Sequence, residues 1–173
     1  MSFSLIPDGV YPNVCALQPS LLASWGITLL LADLDNTLAK YRQPEPDESI
    51  RAWKEALSAS GITLFLLSNS RKPGRAARFA QSLGIPYLGH ARKPRKAGFQ
   101  QAMEQTGKTP RQTAMVGDQI FTDILGARRA GVLALLVEPV ALAGNPGRYL
   151  RYAGETPFRA LGRWRGRRRM ANY

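Results

Sequence analysis

The chain has 173 residues, 45% of them hydrophobic and 21% charged, with a formal net charge of +12. That length holds one ordinary domain with a real core, and the composition excludes a disordered or fibrous protein. No apolar run reaches the roughly 18 residues of a membrane-spanning helix, and a single cysteine, Cys15, excludes an internal disulfide framework.

Residues 1–25 carry Pro7, Pro12 and Pro19, then an apolar group of Leu21, Leu22 and Trp25. They lack a basic start and a long apolar stretch, so they predict an extension that packs on the core or touches a surface, not a signal peptide. From residue 26 to 139 short apolar runs alternate with amphipathic ones. "ITLLLAD" predicts a strand buried on both faces, because it is short and does not alternate. Residues 47–60 predict a helix with Ile50, Trp53, Ala56 and Leu57 on its apolar stripe, stopped by Gly61. "ITLFLLS" (62–68) is a second strand, 73–83 a helix ended by Gly84, and "IPYLG" (85–89) a short strand. A helix over 94–105, a strand at "TAMVGD" (113–118), a helix over 121–130 and a strand at "VLALLV" complete the alternation. Five strands separated by helices predict a parallel sheet with helices on both faces, a three-layer α/β/α sandwich. Residues 140–173 differ. From Pro139 onward there are eight arginines and one acid, Glu155, which predicts a loose basic tail with a helical turn or two, either docking an anionic partner or simply solvated.

Ligands of an open parallel sheet bind beyond the carboxyl ends of its strands, near the point where strand order reverses. The first strand ends in Asp33-Leu34-Asp35-Asn36-Thr37, the second in Ser68-Asn69-Ser70, and the third leads to Lys93. The fourth ends in Gly117-Asp118, with Asp123 one turn further on, whereas the fifth, ending near Glu138, contributes nothing assignable. Four acids at one sheet edge repel one another unless a cation sits among them. Hard carboxylate oxygens, with no cysteine and only a distant His90, point to Mg²⁺ completed by a substrate phosphate. Lys93 is preferred to Lys96 because it stands in a Lys-Pro step that opens the helix.

Asp33, Asp35 and Thr37, then Ser68, Lys93, and Asp118 with Asp123, stand in the order of the four motifs of the haloacid dehalogenase (HAD) superfamily, which this chain resembles over residues 26–138. "GITLLLADLDNTLA", "LLSNS", "ARKPRKAGF" and "VGDQIFTDILGARRAG" are similar to the YqeG group of subfamily IIIA, related to phosphatidylglycerophosphate phosphatases. The resemblance implies a five-stranded Rossmann-like sheet and a phosphatase working through an aspartyl-phosphate. It makes Asp33 the nucleophile and Asp35 the acid and base. The Asp33 and Asp118 side chains and the Asp35 carbonyl become the Mg²⁺ ligands. Ser68, Lys93 and the amides around Asn36 and Asn69 hold the phosphate, while Thr37 and Asp123 support the groups that touch metal and substrate.

The intervals between Thr37 and Ser68 and between Ser68 and Lys93 are filled by one helix and one strand each, which leaves no room for a cap domain. An open site excludes water poorly and suits a phosphate on a large carrier. Phe158, Leu161 and Trp164 among arginines form the pattern of a segment on an anionic membrane, and equally one that binds RNA. The expectation is a Mg²⁺-dependent phosphatidylglycerophosphate phosphatase, cytoplasmic and peripheral at the inner membrane face. Its rivals are a phosphatase of protein, nucleic-acid or soluble phosphates, and a non-catalytic RNA- or ribosome-associated module.

Overall fold

The computed structural model describes residues 4–41, 43–70, 72, 74–140 and 146–170, the side chains of 146–151, 153 and 167–170 excepted. In chain order its elements are β1 (Gly9–Tyr11), α1 (Pro19–Ser24), β2 (Leu29–Ala32), α2 (Glu48–Ala59), β3 (Thr63–Leu67) and α3 (Arg75–Leu83). There follow β4 (Tyr87–Leu88), α4 (Ala97–Thr106), β5 (Thr113–Gly117), α5 (Leu125–Ala130), β6 (Leu133–Val137) and α6 (Pro146–Met170). A π-helical turn, Ile120–Ile124, links β5 to α5.

The strands form one parallel sheet in the order β1-β6-β5-β2-β3-β4. Leu30 and Ala32 of β2 face one core with Leu57 and Phe79, under α2 and α3. Leu29 and Leu31 face the other, with Phe99, Ile124 and Ala127 from the α4–α5 side. Burial on both faces is why these strands read as continuous apolar runs. The result is the three-layer α/β/α architecture. No cap domain interrupts the described residues, and no described helix is long and apolar enough to cross a membrane.

The chain builds outward from β2 through β3 to β4, then returns to the other side of β2 for β5 and β6. The order therefore reverses between β2 and β5, where a crevice opens at the strand ends. Register aligns their ends: Ala32 pairs with Val116 and with Leu66, and the Asp33 amide donates to the Val116 carbonyl at 3.0 Å. Asp33, Ser68 and Asp118 thus leave the sheet side by side.

Two features depart from the sequence reading. Residues 9–11 form a sixth strand, paired with β6 as Gly9 with Leu135 and Tyr11 with Val137. The Trp53 indole also donates to the Leu17 carbonyl at 3.0 Å, tying the N-terminal segment to α2. At the other end, the stretch expected to be a loose tail is a 25-residue helix. It lies along β1, where Gly162 and Gly166, one turn apart, let the two backbones approach. A Cβ at Gly166 would stand 3.1 Å from the Gly9 Cα.

Candidate active site

Three carboxylates meet where the order reverses. Asp33 follows β2, Asp118 follows β5, and Asp123 comes from the π-helical turn; each is buried and offers an oxygen within 4.8 Å of the other two. Gly117 makes the approach of Asp123 possible, because a Cβ there would collide with the Asp123 carboxylate. Into this group reaches Lys93, whose side chain is 1% exposed. Its Nζ donates to Asp33 Oδ1 at 2.6 Å and lies 2.7 Å from Asp123 Oδ1. Lys96, its rival in the sequence, is exposed.

Three carboxylates and one ammonium leave the cluster two negative charges in excess. Burial, then the Asp33 and Asp123 charges, push the Asp118 carboxyl well above the usual carboxylate range. Burial also raises Asp123, to about 6, against the opposing pull of Lys93. Burial alone would lower Lys93, but Asp123 and Asp33 together hold it firmly protonated, above its ordinary value. Asp118 Oδ1 is buried with no hydrogen-bond partner among the described residues. Asp123, by contrast, is engaged by Lys93 and by the Gln119 amide, which donates to Oδ2 at 3.1 Å. An all-oxygen donor set, a deficit of two positive charges and an orphaned buried oxygen fit a hard divalent cation such as Mg²⁺.

The remaining predicted residues frame this centre. Asn36 is buried at φ 65°, and its amide donates to the Ala39 carbonyl at 2.7 Å, so it closes the turn after Asp35. Thr37 is buried beside it. Ser68 Oγ accepts from the Ser70 amide at 3.0 Å and keeps its own proton for donation. The Asn69 side chain brackets the Lys93 peptide. Its Nδ2 donates to the Lys93 carbonyl at 2.9 Å, while its Oδ1 accepts from the Lys93 amide at 2.8 Å. That clamp directs Lys93 inward.

Four charged residues at the site were not singled out for it in the sequence. Arg75, at the start of α3, donates from Nε and Nη2 to Asp35 Oδ1 at 3.0 and 2.8 Å. Its other bonds go to the Gln43 and Lys40 carbonyls. Both contacts with Asp35 use one oxygen, so the second can carry a proton. Burial raises the Asp35 carboxyl, with the Arg75 hydrogen bond opposing. The other three are Glu138, Glu155 and Arg159. Glu155 and Arg159 are each 2% exposed on α6. Arg159 donates from Nη2 to the Asp118 carbonyl at 2.7 Å and to Glu155 at 3.1 Å, and from Nη1 to Glu138 at 3.1 Å. Glu155 accepts from the Ile120 amide at 3.0 Å. Two side chains of the terminal helix therefore grip the loop that bears Asp118 and Asp123. Glu138, which the sequence left without a part, closes the network and also accepts from Arg163 and the Tyr152 hydroxyl.

The family model of haloacid dehalogenase-like hydrolases matches residues 26–131. The Bacillus subtilis protein named "Probable phosphatase YqeG" is 32% identical over 136 residues, 79% of this chain and 78% of its own. Chloroplastic phosphatidylglycerophosphate phosphatase 1 of Chlamydomonas reinhardtii is 31% identical over 149 residues, 82% of this chain but 55% of that longer protein. Among solved structures, the cobalt-bound deoxy-D-mannose-octulosonate 8-phosphate phosphatase of Haemophilus influenzae superposes with a TM-score of 0.53. At 18% identity over 65% of this chain and 69% of that one, it shows a shared fold.

Proposed function

The chain belongs to the haloacid dehalogenase-like hydrolases and is a phosphatase of that family; we propose that it removes the terminal phosphate of phosphatidylglycerophosphate at an anionic membrane face, with Mg²⁺ as its metal. The observation that carries the chemistry is the convergence of Asp33, Asp118, Asp123 and Lys93 on one point, with an Asp118 oxygen lacking any partner among the described residues. The choice of lipid is supported by the relative named for that substrate and by a site that no cap domain among the described residues covers.

In this reading Asp33 attacks phosphorus in line as the bond to the leaving alcohol breaks, forming an aspartyl-phosphate. Asp35 gives its proton to the departing oxygen, then takes one from the water that hydrolyses the intermediate. Burial keeps Asp35 more protonated than an ordinary aspartate, as an acid requires. Lys93 and the Ser68 hydroxyl neutralise the equatorial oxygens, where charge gathers in the transition state. The Asp33 and Asp118 carboxylates and the Asp35 carbonyl would hold Mg²⁺, which when bound supplies further positive charge to the phosphoryl group. Asp123 keeps Lys93 aimed.

Docking to the bilayer would use the outward face of α6. Leu161 and Trp164 are 48% and 50% exposed there, beside Arg163 and Arg165. Phe158 and Arg159 do not belong to that face, because both turn toward the body of the protein.

The test is phosphate release from phosphatidylglycerophosphate in mixed micelles and from soluble phosphomonoesters, with Mg²⁺ and with chelator, by wild type and Asp33→Asn. The expected result is turnover of the lipid in preference to the soluble compounds, dependent on Mg²⁺ and lost in the variant. Faster turnover of a soluble, protein or nucleic-acid phosphate overturns the lipid assignment. Flotation on anionic vesicles should weaken in Leu161→Gln/Trp164→Gln, which leaves the inward face of α6 intact.

A further inference from the structure

Two basic clefts flank the candidate active site. One is lined by Asn69, His90, Arg92, Lys93, Pro94 and Arg95. It shares Lys93 and Asn69 with the candidate active site. The other, of about 430 Å³, is lined by Tyr41, Pro44, Lys72, Arg75 and Arg78. Arg75 is common to its wall and to Asp35, whose Oδ1 it holds. The second cleft therefore adjoins the residue that in this reading protonates the leaving oxygen, and it offers room for the group bonded to that oxygen.

The charges of this cleft are divided. Arg75 is buried and committed to Asp35 and to the Gln43 and Lys40 carbonyls, so it serves as wall. Lys72 and Arg78 are exposed, and no carboxylate of the described residues forms an ion pair within 4.0 Å of either, Asp35 feeling the Lys72 charge only from further off. Lys72 Nζ stands 3.9 Å over the centre of the Tyr41 ring, which holds the ammonium at the cleft by a cation–π contact. Among the described residues, three cations against the single carboxylate of Asp35 give the cleft a net positive charge.

We propose that this cleft is a subsite for a second anionic group on the leaving alcohol, a phosphodiester bound by Lys72 and Arg78. The proposal rests on the phosphatase reading above and deepens it. The substrate proposed there carries a phosphodiester a three-carbon glycerol away from the scissile monoester. A substrate with one phosphate only would leave both cations unmatched. The chemistry that recognises the substrate is thus paired anions, one cleaved and one held.

The test uses the full chain and three substrates. They are phosphatidylglycerophosphate in mixed micelles, its deacylated water-soluble head group, and glycerol 3-phosphate, which has the scissile monoester and no second anion. Wild type should favour the deacylated head group over glycerol 3-phosphate by about tenfold in kcat/KM, as suits two exposed cations meeting one phosphodiester. Lys72→Gln/Arg78→Gln should lose that preference while keeping its rate on glycerol 3-phosphate. A preference that survives the substitutions, or that wild type lacks, overturns the subsite. If the double variant loses activity on every substrate, product inhibition of wild type decides. Glycerophosphoglycerol must inhibit at least about tenfold more strongly than glycerol, and equal inhibition sinks the proposal. The lipid arm separates the two readings. Wild type that cleaves the deacylated head group but not the lipid keeps the subsite and removes the membrane substrate. Lipid turnover with the preference intact in the variant does the reverse.

Discussion

Lys93 is the cation on which the metal-free site depends. Its ammonium stands 2.6 Å from Asp33 and 2.7 Å from Asp123, with its side chain 1% exposed. At an effective dielectric of about 20, each such contact is worth about 6 kcal/mol in Coulomb energy, offset by the cost of burying the charges. Breaking a buried pair by removing one partner costs about 3 to 5 kcal/mol net. Lys93→Met should therefore lower the Tm of the metal-free protein at pH 8 by about 6 to 20 °C, using about 2 to 4 °C per kcal/mol for a chain of this size. The loss has two escapes, and both can be measured. At pH 5 the stranded carboxyls can take up protons, so the difference between variant and wild type should shrink. At pH 8 Mg²⁺ replaces the missing positive charge, so it should raise the Tm of the variant more than that of wild type. Activity should fall about 10²- to 10³-fold even with Mg²⁺ saturating, since the proposed donor to the phosphoryl oxygens is gone. Differential scanning calorimetry in chelator and in Mg²⁺ reads the stability. A variant within about 2 °C of wild type in chelator at pH 8 would refute the claim that these groups form one electrostatic unit.

Two further outcomes follow from the same cluster. Arg159→Met removes the donor to the Asp118 carbonyl and strands the buried Glu155. The Mg²⁺ concentration for half-maximal activity should rise about 10- to 100-fold, the usual cost of losing support behind a metal ligand, which is the part proposed for Asp118; an unchanged Mg²⁺ dependence would show that α6 supports the fold alone. The pH dependence of metal-free stability has a definite sign. Asp123, at about 6, and Asp118 both lie above the ordinary carboxylate value in the folded protein. The native state therefore binds more protons than the unfolded chain between about pH 4 and 6, so their contribution is present below that window and declines as pH rises through it. Calorimetry in chelator should show this decline, and the Tm gain on adding Mg²⁺ should grow over the same interval; a stability that climbs there with no Mg²⁺ effect contradicts the arrangement.

What could be read from the sequence divides along a physical line. The strands β2, β3, β5 and β6 were legible because burial on both faces writes an uninterrupted apolar run, and polar residues at the end of such a run have few reasons to be there. Asp33, Ser68 and Asp118 announce themselves in that way. Arg75, Glu138, Glu155 and Arg159 do not, because each is held at the site by partners far away in the chain and none sits where a local pattern requires a charge. The strand β1 has only three residues, too few for any period to show. In α6 the inward stripe is Glu155, Phe158, Arg159, Gly162 and Gly166, one apolar side chain among charges and glycines, so hydrophobicity gives no sign that this face is buried. The eye goes instead to Leu161 and Trp164, which point outward. The same helix thus presents one face to solvent and applies the other to the loop bearing Asp118 and Asp123. Deleting it to test membrane binding would also release that loop, and lost activity would carry no information about lipid. Only substitutions confined to the outer face can separate docking from catalysis.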